Sequence, residues 1–470
     1  MQNNMQATLG EIVEIFDGPH ATPKKTDSGP VYLSISSLKQ GRFDLSESAH
    51  LSDKDYTKWA KRVVPTAGDL LFSYETRLGE AALMPKNLKA CLGRRMGLLR
   101  PKKGKVTPEY LLYAYLSPGF QQQILSNTIR GATVDRISLT ELPKFKIYVP
   151  KIEQQQAIAS TLAALDAKID CNNRINAELE AMAKALYDYW FVQFDFPDEN
   201  GKPYKSSGGK MVYNEVLKRE IPVGWKSSNI LELAELLGGG TPTKKKPENW
   251  NGHIPFFTPS DTDGNVFKFD TTDKITKEGL VNSSTKLFKE NTVFITARGS
   301  VGRTVLAGVK MAMNQSCYAL CAKQGISYAY LFFLAKELVH HLEVKSSGSV
   351  FDSIVTTDIE LSSLVIPHLQ VIKKYSERAE PLFQKINKNT QENIQLAKLR
   401  DWLLPMLMNG QVTVGDHANK RSVFPVAAQP EDNYDQHFTA WRDNQALAAR
   451  GSLDEATLRE IFDAMDDDDK

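Results

Sequence analysis

Cysteine is scarce, with four in 470 residues: Cys91, Cys171, Cys317 and Cys321. They are too few and too scattered for a disulfide framework, and the Cys317 to Cys321 spacing matches neither a zinc site nor a thioredoxin-like motif. Buried or incidental thiols are expected. Long apolar runs are missing too. No segment reaches membrane-spanning length, and the N-terminal MQNNMQATLGEIVEIF lacks the basic-then-apolar order of a secretory signal, so the expected setting is the cytoplasm, away from membrane.

Catalytic signatures fail in the same way. The tetrad Asn/Asp-Pro-Pro-Tyr/Phe that a DNA amino-methyltransferase needs does not occur, and GSVGRT at Gly299–Thr304 lacks the lysine and spacing of a phosphate-binding loop. Asp198 and Glu199 with Lys202 have no apolar strand around them, as a metal-dependent nuclease would require. The adjacent His340 and His341 sit among Leu338, Val339 and Leu342 and read as a helix surface. These failures point away from an enzyme.

What is present is an uneven charge. The chain's net +2 conceals a tail after Gly410 with 13 acidic and 6 basic residues, a net of −7, so the first 410 residues carry +9. Residues 58–105 alone hold 12 Lys or Arg against 3 Asp or Glu. Such a bias fits a polyanionic partner and fits equally a solvated basic face. At this length two to four domains are expected.

An internal repeat organises the rest. RGATVDRISLTELPKFKIYVP (Arg130–Pro150) aligns with SGSVFDSIVTTDIELSSLVIP (Ser347–Pro367) at an offset of 217, matching Gly131 with Gly348, Asp135 with Asp352 and Pro150 with Pro367. The offset continues without a gap through the following helix, where Leu165 meets Leu382, Ile169 meets Ile386 and Leu186 meets Leu403. Upstream the match loosens: GDLLF (Gly68–Phe72) meets ENTVF (Glu290–Phe294), and Arg77 with Gly79 meets Arg298 with Gly302, at offsets of 221 to 223. Each copy is a block of short β-rich runs, Gly/Pro turns and one or two helices, followed by a long helix.

In the first helix the seam runs Ile158, Leu162, Leu165, Ile169, then Asn172 and Asn176, then Leu179, Ala183, Leu186 and Trp190; Asn389 and Asn393 repeat the interruption. A helix of about 40 residues rises about 60 Å, too long to bury its stripe on one small domain, so the two long helices are expected to pair. In an antiparallel pair the asparagines would meet near the middle and fix alignment, because a polar side chain opposes every register that faces it with leucine. The alternative places them at the solvent edge of an imperfect seam. Two similar basic blocks held on such a rod would lie about one and a half to two turns apart on B-DNA, where the pitch is about 34 Å.

The chain resembles the specificity subunits of type I restriction-modification systems. The resemblance covers residues 1 to about 410 and rests on EQQQAIASTLAALDAKIDCNNRINAELEAMAKALYDYWFVQFDFP after Pro150, GKPYKSSGGKMVYNEVLKREIPVGW, LGGGTPTKKKPENWNGHIPFFTPSD, ITARGSVGRT and MNQS. It implies a mixed α/β fold: two small target-recognition domains in tandem, separated by two long helices packed as an antiparallel coiled coil. The boundaries read as domain 1 at 1–149, a central helical spacer at 150–197, a linker with a hairpin at 198–225, domain 2 at 226–366, a distal helical spacer at 367–410, and a flexible acidic tail at 411–470. It further implies a bipartite double-stranded DNA target with an unread spacer, two methyltransferase subunits and restriction/translocase subunits as partners, and no cofactor on this chain. S-adenosylmethionine, ATP and magnesium would then belong to the partners. A stand-alone bipartite DNA-binding regulator and a helical scaffold without nucleic acid are the competing readings.

Arginine can grip guanine with two bonds, and Asn or Gln can do so with adenine, so exposed loop residues of these types are the expected base readers. In block one they are Tyr74, Arg77, Arg94 and Arg95; in block two, Ser260, Asp261, Arg298, Arg303, Asn314 and Gln315. Lys24, Lys25 and the run Lys244, Lys245, Lys246 flank Thr-Pro turns and suit phosphates. Tyr187, Tyr189, Trp190 and Phe191 occupy several faces of one helix, which suits subunit docking or, alternatively, burial under the linker.

Overall fold

The computed structural model describes residues 6–19, 21–39, 41–46, 48–131, 134–345 and 353–414. Ser347–Asp352, part of the second repeat copy, and all of the acidic tail beyond Val414 lie outside the described residues. The described chain falls into two compact units, 6–169 with 394–414 and 170–393. Both divisions fall inside the long helices, away from the block boundaries, because each unit combines one block with the stretches of both helices that pack on it.

In the first unit an antiparallel sheet runs in the order Val13–Asp17, Met96–Pro101, Leu70–Ser73, Ala81–Leu83. Beside it lies a smaller sheet, Ala49–His50, Thr26–Leu33, Ala90–Leu92, whose last pair is parallel. Gln6–Thr8 pairs with Lys146–Tyr148 and closes the block. A helical segment beginning at Pro108 breaks at Ser117 into Pro108–Leu116 and Pro118–Ser126, because Pro118 has no N–H to continue the first helix and the Ser117 hydroxyl caps the second.

The second unit repeats this plan. Its main sheet is Ala234–Gly238, Cys317–Ala322, Val293–Thr296, Thr304–Ala307, with Phe267–Lys268 added at the edge. The smaller sheet is Lys274–Ile275, Trp250–Phe257, Ala312–Met313, again parallel in its last pair. Lys226–Ser228 closes on Leu364–Ile366, and the helix Tyr328–Lys345 covers the sheet.

Strand register corrects one part of the repeat alignment. Leu70, Phe72 and Tyr74 point to the side packed with helices, and Leu71 to the other. In the second unit the helix side takes Val293, Ile295 and Ala297, while Phe294 faces away. Phe72 therefore corresponds to Ile295, not to Phe294. Side chains alternate along a strand, so a one-residue slip exchanges the two faces, and matching phenylalanine with phenylalanine makes that slip.

The long helices are Ile152–Tyr187 and Leu369–Met408. Within the first unit Ile158, Ala159 and Leu162 share a core with Leu404, Leu407 and Met408. Asp166 accepts from Arg400 at 2.8 Å and from the Tyr113 hydroxyl at 2.7 Å, with Arg42 at 3.7 Å. Within the second unit Asn172 donates to Asn393 at 2.9 Å and Glu392 at 2.8 Å, Asn389 donates to Asn176 at 2.9 Å, and the Tyr375 hydroxyl reaches the Ala183 carbonyl at 3.1 Å. Low numbers meet high ones in both units, so the helices run antiparallel in each. At the repeat offset Asp166 corresponds to Phe383, which is fully buried against Phe267, Tyr328, Phe332 and Phe333. At this equivalent position the first unit has a charged cluster and the second aromatic packing, while an apolar core joins block to helices in both.

The aromatics at the end of the first helix are not a free surface. Tyr187, Trp190 and Phe191 are buried against Tyr330, Phe333, Tyr375 and Trp225, and Tyr189 is half-buried on the same cluster. The helix widens into a π turn over Asp188–Val192, closed by the Gln193 N–H on the Asp188 carbonyl, and the extra residue in that turn lets consecutive aromatics face inward. The linker hairpin is present as Met211–Asn214 paired with Arg219–Pro222.

Asn389→Leu should cost about 1–3 kcal/mol, because it takes the donor from the half-buried Asn176 carbonyl, whose NH2 keeps only the Thr390 hydroxyl. A urea titration measures this, and adding Asn176→Leu should recover most of the deficit; a deficit that deepens instead would remove the pairing as its source.

Candidate nucleic-acid interface

In the first unit, pairings of Asp17 with Gly97, Ser73 with Met96, Phe72 with Ala81 and Leu33 with Leu92 bring four strand ends to one edge. The described segments emerging there are residues 18–19, 21–25, 34–37, 74–80 and 93–95. The second unit does the same through Gly238 with Tyr318, Thr296 with Cys317, Ile295 with Thr304 and Phe257 with Met313, collecting residues 239–246, 258–261, 297–303 and 314–316. Nearly all the residues expected to touch DNA lie on these two edges.

Backbone bonds hold the loops in matching frames. Tyr74 N–H reaches the Arg95 carbonyl at 3.2 Å and Ala297 N–H the Ser316 carbonyl at 2.7 Å. Ser73 N–H binds the Glu80 carbonyl at 3.1 Å and Thr296 N–H the Arg303 carbonyl at 2.9 Å. Thr76 (φ 69°) and Gly299 (φ 84°) share a left-handed position, as do Gly79 (φ 87°) and Gly302 (φ 83°). Within this frame Arg298 occupies the place of Glu75, and Arg303 that of Glu80; the expected match of Arg77 with Arg298 does not hold.

That exchange changes the electrostatics. On the first edge Arg95 pairs with Glu75 at 2.9 Å, Arg77 with Glu80 at 3.1 Å and Arg62 with Asp17 at 2.7 Å, leaving Arg94, Lys24 and Lys25 exposed. On the second edge Lys244, Lys245, Arg298 and Arg303 are exposed and make no ion pair among the described residues, although the Lys244 ammonium lies 5.9 Å from the Trp250 ring. Of the acids that restrain the first edge, Glu75 and Glu80 are replaced by cations on the second and Asp17 by Gly238.

Two expected readers are structural. Tyr74 is 4% exposed; burial, with Asp17 and Glu75 nearby, pushes its hydroxyl up to about 12, so it stays neutral under the strand end. Asp261 is 5% exposed and takes the Thr258 N–H at 2.9 Å and the Thr272 N–H at 2.9 Å. It caps the short turn Pro259–Asp261, as Ser37 caps Ile35–Ser37 through the Ser34 N–H at 3.1 Å. A carboxylate so buried, and holding the Thr258 hydroxyl at 2.7 Å as well, offers almost no surface to a base. Ser260 is exposed with its hydroxyl on Thr258, Asn314 braces the Ser316 N–H, and Gln315 is exposed with its carbonyl held by the Thr241 hydroxyl. Thr241, Tyr32, Glu75 and Glu80 carry no mark in the sequence, since nothing local signals a bracing role. Burial pushes Cys317, beside this turn, up to about 12, which makes it a poor nucleophile.

The family model described as "Type I restriction modification DNA specificity domain" matches residues 1–181 and 222–398. The chain belongs to that family. Among similar proteins, the type I restriction enzyme MjaIX specificity subunit of Methanocaldococcus jannaschii is 27% identical over 373 residues, 78% of this chain and 82% of that protein. The HindI specificity subunit of Haemophilus influenzae is 23% identical over 436 residues, 81% of this chain and 94% of that protein. A crystal structure of a type I restriction-modification S subunit from M. genitalium shares the fold, with a TM-score of 0.51 at 16% identity over 86% of this chain and 95% of that one. As a specificity subunit the chain is a DNA-recognition component and not an enzyme. Among the described residues no helix is long and apolar enough to cross a membrane.

Arg298→Ala and Arg303→Ala should each lower the slope of log K against log salt for DNA binding by about 1, the effect of removing one cation that neutralises a phosphate. Arg77→Ala, whose charge is already met by Glu80, should lower it by less than half as much. Asp261→Ala should instead cost about 1–2 kcal/mol of stability through removal of the cap, measured by urea titration.

Proposed function

We propose that the chain recognises a bipartite double-stranded DNA target, one block reading each half with an unread spacer between, and directs methyltransferase and restriction/translocase subunits to it. The observation that carries this reading is the duplicated loop edge: one backbone frame, built twice, bearing different side chains and a different charge balance. Two such edges suit two different half-sites. In this reading Lys244, Lys245, Arg298 and Arg303 hold phosphates or bases in one half and Arg94 in the other. Two methyltransferase subunits supply S-adenosylmethionine chemistry, and the restriction subunits supply ATP and magnesium. Asn172, Asn176, Asn389 and Asn393 set helix register.

Burial of Tyr187, Trp190 and Phe191 moves the partner interface off those side chains, so docking falls to other surfaces of the helices and linker. A stand-alone regulator would bind its site tightly alone and co-purify with no methyltransferase.

Mapping methylated bases in DNA from cells that co-express the chain with its methyltransferase subunit tests the proposal. Exchange of residues 1–149 for those of another specificity subunit should alter one half of a split motif only, and exchange of 226–366 the other half only. A continuous motif, or methylation without this chain, would refute the reading.

A further inference from the structure

The middle residues of two short turns occupy the same position in the two units. In the first, Gly93–Arg94–Arg95 carries the chain from the small sheet to the main one; the Met96 N–H binds the Gly93 carbonyl at 3.3 Å, and the Arg95 carbonyl accepts from Tyr74. In the second, Asn314–Gln315–Ser316 makes the same crossing; the Cys317 N–H binds the Asn314 carbonyl at 3.3 Å, and the Ser316 carbonyl accepts from Ala297. Each turn is anchored again at its base, by the Arg94 N–H on the Tyr32 hydroxyl at 3.0 Å and by the Asn314 N–H on the Phe257 carbonyl at 2.9 Å. The backbone is therefore rigid at both sites, and only the side chain differs.

Arg95 and Asn314 are committed to bracing. Arg95 has φ 70° and spends its guanidinium on Glu75 and Thr76; Asn314 spends its carbonyl on the Ser316 N–H. Arg94 and Gln315 are the exposed members. The Arg94 guanidinium makes no hydrogen bond or ion pair among the described residues, which leaves its planar fork free for the two acceptors of guanine. The Gln315 carbonyl is steadied by Thr241 but keeps a second lone pair, and its NH2 is unspent. One acceptor and one donor side by side match the N6 and N7 of adenine.

We propose that Arg94 and Gln315 are equivalent specificity-determining residues, Arg94 reading a guanine in one half of the target and Gln315 an adenine in the other. This rests on the bipartite reading above. That reading fails separately, if wild-type chain and methyltransferase give no chain-dependent split motif.

The test is the methylation map of the complex carrying Arg94→Gln or Gln315→Arg. Arg94→Gln should lower methylation of guanine-bearing sites roughly ten- to a hundredfold at one position of one half-site, with adenine accepted there and the other half unchanged. Gln315→Arg should do the reverse at one position of the opposite half. An unchanged motif methylated more slowly, or loss of preference in both halves from one substitution, would overturn the assignment. Where a variant gives no methylation, binding of its purified complex to oligonucleotides carrying each base at each position decides. Loss confined to one position supports the assignment, and an equal loss on all sequences refutes it.

Discussion

Ser73 lies opposite Met96, and Thr296 lies opposite Cys317. This register places the loop after one inner strand beside the turn before the next, so that backbone hydrogen bonds, Tyr74 to Arg95 in one unit and Ala297 and Arg298 to Ser316 in the other, tie them together. A slip of one residue would reverse every side chain on the strand and open the edge. The loop geometry therefore depends on strand pairing well below the surface.

That arrangement separates folding from recognition. The frame needs backbone bonds, glycines at left-handed positions, a capped turn and apolar alternation, none of which involves the outward side chains. Glu75 and Glu80 can become Arg298 and Arg303 without disturbing the shared bonds, since those bonds use only the backbone of either pair, and the ion pairs of Glu75 with Arg95 and Glu80 with Arg77 belong to the first unit alone. Duplication followed by independent change at the edge is physically open to such a fold, and two edges of different charge are its result.

The helix pairs show the same tolerance. Where the first unit brings Arg400, Arg42 and Tyr113 onto Asp166, the second buries Phe383 among aromatic rings. Both contacts help anchor a block on its helices beside an apolar core common to the two units; one is a polar cluster whose removal leaves unmet charges, the other a layer of packed rings. The asparagine layer adds directional bonds that leucine could not supply.

The tandem repeat, the two long helices with their asparagine interruptions and the absence of catalytic motifs were legible in the sequence, because they are written in periodicity and spacing along the chain; the antiparallel pairing was implied only by the resemblance. The loops of the two edges were marked there too: Arg94, Arg298, Arg303 and Gln315 all lie on them and are exposed. Which residues of those loops are free emerged only on folding. Tyr74 and Asp261 looked like readers because residue type says nothing about burial; Arg77 and Arg95 looked free because the glutamates that hold them become partners only in the folded chain. Trp190 and its neighbours looked like a docking face because a π turn cannot be read from an α-helical period. The Phe72 mismatch has the same cause: strand register is a relation between segments distant in the chain, and hydrogen bonds across the sheet, not similarity along it, settle which face a side chain takes.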